Sequence, residues 1–194
     1  MYFSQLPNVF IGEGVTDTES FKYRLVKNIF RRVKIRDDMD DIATNFETYS
    51  LQDPDTPESL SNALYGNGHY DWIILLANNI TDYYDQWPKA QRELTDFVNE
   101  KYDNPESIHH YETLKIMYNE SIVAYKEGIQ VNESFRAIVD GNTKTADQSR
   151  VPISNYEYEY YLNEKKRLVR IPTPTMFEVM KQEFEELVSY EPHS

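Results

Sequence analysis

The most constraining stretch of the chain is Asp55-Thr56-Pro57-Glu58-Ser59-Leu60, continued by Ala63-Leu64-Tyr65-Gly66-Asn67-Gly68. Thr56 is placed to cap a helix that begins at Pro57, since proline lacks only an N–H that the first turn cannot use. Leu60, Ala63 and Leu64 fall on one face, and Gly66 offers the left-handed residue on which such a helix ends. Asn67-Gly68 turns the chain. A second short helix then carries Trp72, Ile73, Leu75 and Leu76 and stops at Asn78-Asn79. Ahead of both, Thr44 to Gln52 alternates, with Phe46, Thr48 and Ser50 against Glu47, Tyr49 and Leu51, which predicts a strand. Strand, helix, tight turn and helix make one small unit, with Trp72 as the anchor between its layers.

On either side of this unit the signals are of a different kind. Met1 to Val15 carries Tyr2, Phe3, Leu6, Val9, Phe10 and Ile11, but Pro7, Gly12 and Gly14 break any period, so it reads as an apolar arm. Asp17 to Arg36 has Phe21, Leu25, Val26, Ile29 and Val33 at helical spacing. Its second half is crowded with Lys27, Arg31, Arg32, Lys34 and Arg36, a basic patch on an acidic chain. Beyond Trp87-Pro88, Leu94, Phe97 and Val98 predict a helix over 89–102. Ser107 to Phe135 is rich in β-branched and aromatic residues and reads as a Tyr-lined β insertion, with Lys126-Glu127-Gly128 as a hairpin loop into Ile129-Gln130-Val131. Asp140 to Arg150 is polar and reads as a loop that orders on assembly. Ser154-Asn155-Tyr156-Glu157 is a capping box that opens a helix toward Lys165. Arg167 to Pro172 predicts a strand, and Thr173-Pro174 opens a last helix whose stripe is Met176 or Phe177, Met180, Phe184, Leu187 and Val188. The fold class expected is α+β. The expected divisions are 1–43 (arm and basic helix), 44–80 (compact unit), 81–150 (helix, β-rich insertion, polar loop) and 151–194 (helix, strand, amphipathic helix).

Composition narrows the chemistry. With 33 acidic and 20 basic residues the net charge is −13, which opposes binding to duplex nucleic acid or an anionic membrane. There is no cysteine, so thiolate metal sites, disulfides and cysteine nucleophiles are excluded. The longest strongly apolar run, Trp72 to Ala77, is far short of the ~20 residues that span a bilayer, and no basic-then-apolar leader opens the chain. The histidines are His69, His109, His110 and His193. Adjacent His109 and His110 are expected to point to opposite faces of a strand, unable to chelate one ion. Asp82 and Asp85, beside Tyr83, Tyr84 and Trp87, come nearest to a paired-carboxylate hydrolase site, which needs one acid held in an apolar pocket. A polar loop anchored by aromatics is the commoner arrangement, and the expectation is no catalytic residue, no cofactor and no metal. Sixteen tyrosines supply large rings with polar tips, a composition suited to interfaces.

The segment Glu47 to Asn79 resembles a LysM module, through its strand, Asp55-Thr56-Pro57, Ala63-Leu64-Tyr65-Gly66-Asn67 and Tyr70-Asp71-Trp72-Ile73-Ile74-Leu75-Leu76-Ala77-Asn78-Asn79. Such modules run β-α-α-β, and the second strand is not found soon after Asn79. Its usual ending, alternating apolar residues and then Ile-Pro, appears at Leu168-Val169-Arg170-Ile171-Pro172, as if an insertion of about 81–164 split the module. The stretch Thr56 to Trp87, with Asn28-Ile29-Phe30-Arg31 and the Tyr156 to Ile171 run, is similar to the LysM-bearing baseplate wedge proteins of T-even-type contractile-tail phages. That resemblance implies a non-enzymatic subunit of the virion tail baseplate, assembled in the host cytoplasm, which clamps neighbouring wedges. Its implied partners are long helical wedge proteins and a lysozyme-like, sheath-initiating subunit, with no nucleic acid and no membrane. The interface residues expected are Phe3, Phe10, Arg31, Arg32, Tyr83, Tyr84, Trp87, Phe177, Phe184 and Leu187. Two rivals stand beside this reading. One is a cell-wall glycan-binding module with its groove between Asp53–Pro57 and Asn79–Asp85; the other is a wall-degrading enzyme using Asp82 and Asp85.

Overall fold

The computed structural model describes residues 6–13, 22–29, 33–35, 43–53 and 55–189. In chain order the elements are β1 (Asn8–Glu13), β2 (Lys22–Lys27), β3 (Phe46–Ser50), α1 (Pro57–Tyr65), α2 (Asp71–Ala77), α3 (Tyr83–Gln86) and α4 (Gln91–Lys101). They continue with β4 (Ile108–Thr113), β5 (Ile116–Tyr118), β6 (Ile122–Tyr125), β7 (Gln130–Val131), β8 (Ile138–Val139) and β9 (Asn142–Thr143). The last are α5 (Ala146–Ser149), β10 (Arg150–Ser154), α6 (Asn155–Lys165), β11 (Leu168–Pro172) and α7 (Pro174–Ser189). The fold is α+β and the chain divides into two units, the first made of 1–87 and 167–194, the second of 88–166.

In the first unit, β3 pairs antiparallel with β11, Phe46 opposite Pro172 and Ser50 opposite Leu168, so the order is β3-α1-α2-β11. Helix α1 forms where the local signals place it. Thr56 Oγ1 accepts from Ser59 N while Ser59 Oγ accepts from Thr56 N, and Gly66 ends the helix at φ 72°. Asn78 ties the two halves of the unit together: its Nδ2 donates to Ile74 O at 2.9 Å and Arg170 O at 2.8 Å, and its Oδ1 accepts from Arg170 N at 2.8 Å. A short helix end thus holds a strand that lies 92 residues later in the chain.

Helix α2 is buried on two sides, which fixes two core clusters. Trp72 and Ile73 pack with Leu6 and with Met176, Phe177, Met180, Phe184 and Val188 of α7, while Ile74 packs with Leu51, Leu60, Trp87, Val169 and Ile171. The Trp72 and Phe184 rings lie 4.3 Å apart, and Phe177 is stacked on Tyr65 at 4.1 Å with the Tyr70 ring edge-on at 5.0 Å. Tyr65 donates its hydroxyl to Pro172 O, and burial first, then the charge of Glu47, pushes that phenol far above its ordinary range. The amphipathic helix α7 therefore closes on this chain's own core, and Phe177 and Phe184, 6% and 1% exposed, are core residues rather than partner contacts. The reason is geometric: α2 offers a Trp-Ile face that β3 and β11 leave uncovered.

At the N-terminus the structure corrects the expectation of an irregular arm followed by a helix. Over the described residues β1 and β2 form an antiparallel ribbon, Asn8 opposite Lys27 through Glu13 opposite Lys22. Lys22-Tyr23-Arg24-Leu25 alternates with period two, and this wins over the 3.6 spacing because β1 is there to pair with it. Phe3, Arg31, Arg32 and the acidic run Asp37 to Asp41 lie outside the described residues.

The second unit is built on a three-stranded sheet in the order β10-β4-β7. The β-rich run is therefore present, but Lys126-Glu127-Gly128 does not join two paired strands. Strand β7 returns to β4, with Tyr111 opposite Val131, and Gly128 makes the turn at φ 78° with its N–H on Thr113 O. The polar segment 140–150 is also ordered rather than a loop awaiting assembly. Thr145 and Gln148 cap α5, and buried Ser149 accepts from Ala137 N at 3.0 Å and donates to Thr145 O at 2.6 Å. Helix α6 starts at the Ser154–Glu157 capping box, and its buried Asn163 and Glu159 face α4. Glu159 accepts from Lys101 Nζ at 2.7 Å and Tyr102 OH at 2.8 Å; Asn163 bonds both the N–H and the carbonyl of Lys89. Burial works to raise the Glu159 carboxyl, and the Lys101 and Tyr102 bonds with the ammonium charge outweigh it, leaving the group below its ordinary value.

His109 and His110 do not point apart as an ideal strand requires. Ile153 lies opposite His110 but Ser154 lies opposite Ile108, so His109 is the extra residue of a bulge. The bulge brings the two Nδ1 atoms to 2.9 Å, with His109 stacked on Tyr158 at 4.0 Å and His110 Nε2 3.1 Å from Glu112. Among the described residues no group of three or more His, Asp or Glu side chains is arranged to hold a metal ion.

Candidate interaction surfaces

The segment after α2 decides between the cleft that the glycan and hydrolase readings need and a packed corner. Asp82 caps α3, its Oδ1 accepting from Tyr84 N at 3.0 Å and Asp85 N at 3.4 Å. Gln86 folds back so that its Oε1 accepts from Thr81 N at 2.7 Å and Asp82 N at 2.9 Å. Both aspartates are exposed, and Asp82 is committed to the helix start, so neither sits in the apolar pocket that a raised carboxylic acid requires.

Trp87 ends this turn and is 4% exposed, against Leu51, Leu60, Ile74, Val169 and Ile171. Its indole N–H donates to Asp55 O at 3.1 Å, while the Asp55 carboxylate accepts from Gln52 N at 2.8 Å and Tyr49 OH at 3.2 Å. Burial, then that bond, raises the Tyr49 phenol. Trp87 is thus the plug that fastens the loop after α2 to the loop before α1, and it is not a partner contact. The three aromatics predicted together are separated by role. Tyr84 is 84% exposed, Tyr83 is 37% exposed between Tyr84 and the Trp87 ring, and Trp87 is inside.

The remaining predicted contact residues are exposed. Leu187 is 52% exposed in the last turn of α7, three residues from Phe184 and on the same side of the helix as the buried stripe. Phe10 is 72% exposed on β1. Tyr23 and Leu25 of β2, neither of them among the expected interface residues, are also more than half exposed. The signal that finds them is the two-residue alternation of β2, which a helical reading hides. In the second unit Ile108, Ile122, Ile138 and Tyr161 are exposed by more than half. Among the described residues no helix is long and apolar enough to cross a membrane.

Comparison with known proteins places this arrangement. The family model described as base plate wedge protein 53 matches residues 22–180, which includes the whole second unit, all of β3, α1, α2 and β11, and the start of α7. Baseplate wedge protein gp53 of Enterobacteria phage T4 is 35% identical over 57 residues, which is 29% of this chain and 29% of that protein. The aligned stretch therefore spans under a third of the relative's length. The family match runs over most of the chain, and the chain belongs to the base plate wedge protein 53 family.

Proposed function

We propose that this baseplate protein is a structural, non-enzymatic subunit that clamps neighbouring wedge subunits through heteromeric contacts. The observation that carries the reading is the contrast between a closed core and large apolar side chains left outside it, Phe10, Tyr84, Leu187, Ile122, Ile138 and Tyr161. Exposed apolar surface of this kind marks protein contacts. The tyrosine rings provide contact area with few rotors to freeze. The family membership supports a place in the phage tail baseplate. In this reading the partners are other wedge proteins, long helical subunits and a sheath-initiating, lysozyme-like subunit. Within this reading the β3-α1-α2-β11 order, closed by Asn78, is a LysM-like module carrying an inserted second unit.

A glycan-binding role has less support, because Trp87 occupies the space between the two loops that would form the groove. Co-expression with the wedge subunits encoded beside it is the direct test. A stable complex with at least one of them is expected, and a well-behaved monomer that joins none would overturn the reading. In parallel, the full chain is expected to show no binding to peptidoglycan or chitin oligomers at millimolar sugar, and saturable binding there would favour the glycan module instead.

A further inference from the structure

We propose that His109 and His110 form a two-nitrogen chelate for a divalent transition-metal ion of the copper(II) and nickel(II) class, built by the bulge in β4. The pair lies wholly within the second unit, and the clamp reading does not depend on it.

In a regular strand adjacent side chains point to opposite faces, which is the ground on which the sequence alone denies them a shared ion. Strand β4 departs from that rule. Ile153 lies opposite His110 and Ser154 opposite Ile108, so His109 is the extra residue and its ring comes round to that of His110. The two Nδ1 atoms are 2.9 Å apart and the ring planes are at 83°. An imidazole nitrogen sits about 2.0–2.1 Å from a divalent ion such as zinc. At that length two nitrogens at right angles about one ion are about 2.9 Å apart, and two at a tetrahedral angle about 3.4 Å. The separation found is the right-angle one, which suits tetragonal copper(II) or nickel(II) rather than tetrahedral zinc.

The surroundings prepare the pair for this role. His110 Nε2 lies 3.1 Å from Glu112 Oε1. A carboxylate accepts, so that nitrogen carries the proton and His110 Nδ1 keeps its lone pair. A carboxylate on the far nitrogen orients metal-bound histidines and raises their basicity. In the metal-free chain His109 Nδ1 then donates to His110 Nδ1. When an ion enters, the His109 proton moves to Nε2 and both rings stay neutral, each with a lone pair for the metal. Tyr158 of α6 meets both rings, stacked on His109 at 4.0 Å and edge-on to His110 at 5.6 Å. The His110 side chain is only 9% exposed, so its ring is held before binding and little ordering entropy is lost. His109 is exposed, which gives an ion its way in from solvent. The net charge of −13 raises the concentration of divalent cations around the chain. Among the described residues no third side chain joins the pair, so water fills the other positions and the site is an open one.

The test titrates the untagged full chain with copper(II) alone, in a buffer that does not chelate it. One equivalent is expected to bind saturably, with a paramagnetic resonance spectrum showing two imidazole nitrogens on the ion. His109→Gln and His110→Gln should each weaken binding at least about tenfold, and Glu112→Ala, which removes only the orienting carboxylate, by about tenfold. His69→Gln should bind as the wild type does. Melting curves recorded without metal check that each variant folds; if His110→Gln does not, the exposed His109→Gln decides. No saturable binding, a spectrum without nitrogen ligands, or a His109→Gln variant that binds as tightly as the wild type overturns the proposal. The last two results would place the ion on surface carboxylates or the amino terminus. Any of these leaves the clamp reading standing, since its own test is the complex with wedge subunits.

Discussion

The two ends of the chain make similar apolar offers and meet opposite fates. Helix α7 presents Met176, Phe177, Met180, Phe184 and Val188, all under 10% exposed against Leu6, Trp72 and Ile73. The β1–β2 ribbon presents Phe10, Tyr23 and Leu25, all more than half exposed. Residue type does not separate them, since both sets combine large aliphatic and aromatic side chains. What separates them is whether the chain supplies a complementary surface. Helix α2 is apolar on two sides, and β3 and β11 cover only one of them, so the other accepts α7. The ribbon keeps Phe10, Tyr23 and Leu25 outside both core clusters formed by the described residues. A periodic apolar stripe thus states that a partner is needed and is silent on which molecule provides it.

The comparison breaks most easily at the closed end. Phe184 is 1% exposed with its ring 4.3 Å from Trp72. Truncation to Ala, or Trp72→Ala, should cost about 3–5 kcal/mol, because transfer and cavity terms add. Denaturant unfolding followed by Trp fluorescence for Phe184→Ala, or by circular dichroism for both, measures it. A cost below about 1 kcal/mol would mean that α7 is only loosely held and that the two ends are alike after all.

Much of the first unit was legible because its signals are local. Thr56, Pro57 and Gly66 act within their own helix, and Ser154 with Glu157 does the same for α6. Strand β11 was legible from Leu168 to Pro172 because alternation and the Ile-Pro ending survive at a distance. What stayed hidden depends on partners remote in sequence. Residues 22–29 satisfy a helical and a strand period at once, and only β1 decides between them. The polar run 140–150 conceals Ser149, whose burial rests on hydrogen bonds to Ala137 and Thr145 rather than on hydrophobicity. The proximity of His109 and His110 follows from a one-residue bulge. For the candidate contacts, sequence placed Tyr83, Tyr84 and Trp87 together correctly as neighbours, but the indole bond to Asp55 that takes Trp87 inside is a tertiary fact.

A smaller break is available at the seam that the insertion spans. Asn78 makes two bonds to Arg170 and one to Ile74. Asn78→Ala leaves the Arg170 N–H and carbonyl to find water at an exposed edge, and should cost about 0.5–1.5 kcal/mol by thermal or denaturant unfolding. An effect near zero would show that the β3–β11 pairing stands on its own.

In the second unit the Glu159 carboxylate gives a pH handle. Its folded value lies below the ordinary one, so its contribution is complete above the unfolded glutamate pKa and is lost as pH falls through the folded value. Glu159→Gln should cost about 1 kcal/mol at neutral pH, a modest figure because Lys101 is half exposed and solvent screens the pair. The gap between wild type and Gln variant should close as the solution is acidified into the carboxylate range. A gap that widened with acid would mean that burial, rather than the Lys101 and Tyr102 bonds, dominates at this site.

The smallest expected effect sharpens the comparison most. If the ribbon face is open in the free chain, Phe10→Glu and Leu25→Glu remove no buried contact, and each should shift stability by about 0.5 kcal/mol or less. The same change at Phe184 puts a charge into a packed core and should unfold the chain. Measured on one protein with one denaturant, the ratio between the two ends is therefore the quantity to obtain. A cost of several kcal/mol at Phe10 would mean that this ring is already covered by the chain's own residues in solution. The ribbon would then belong to the core, and the search for a docking face would move to Tyr84 and Leu187.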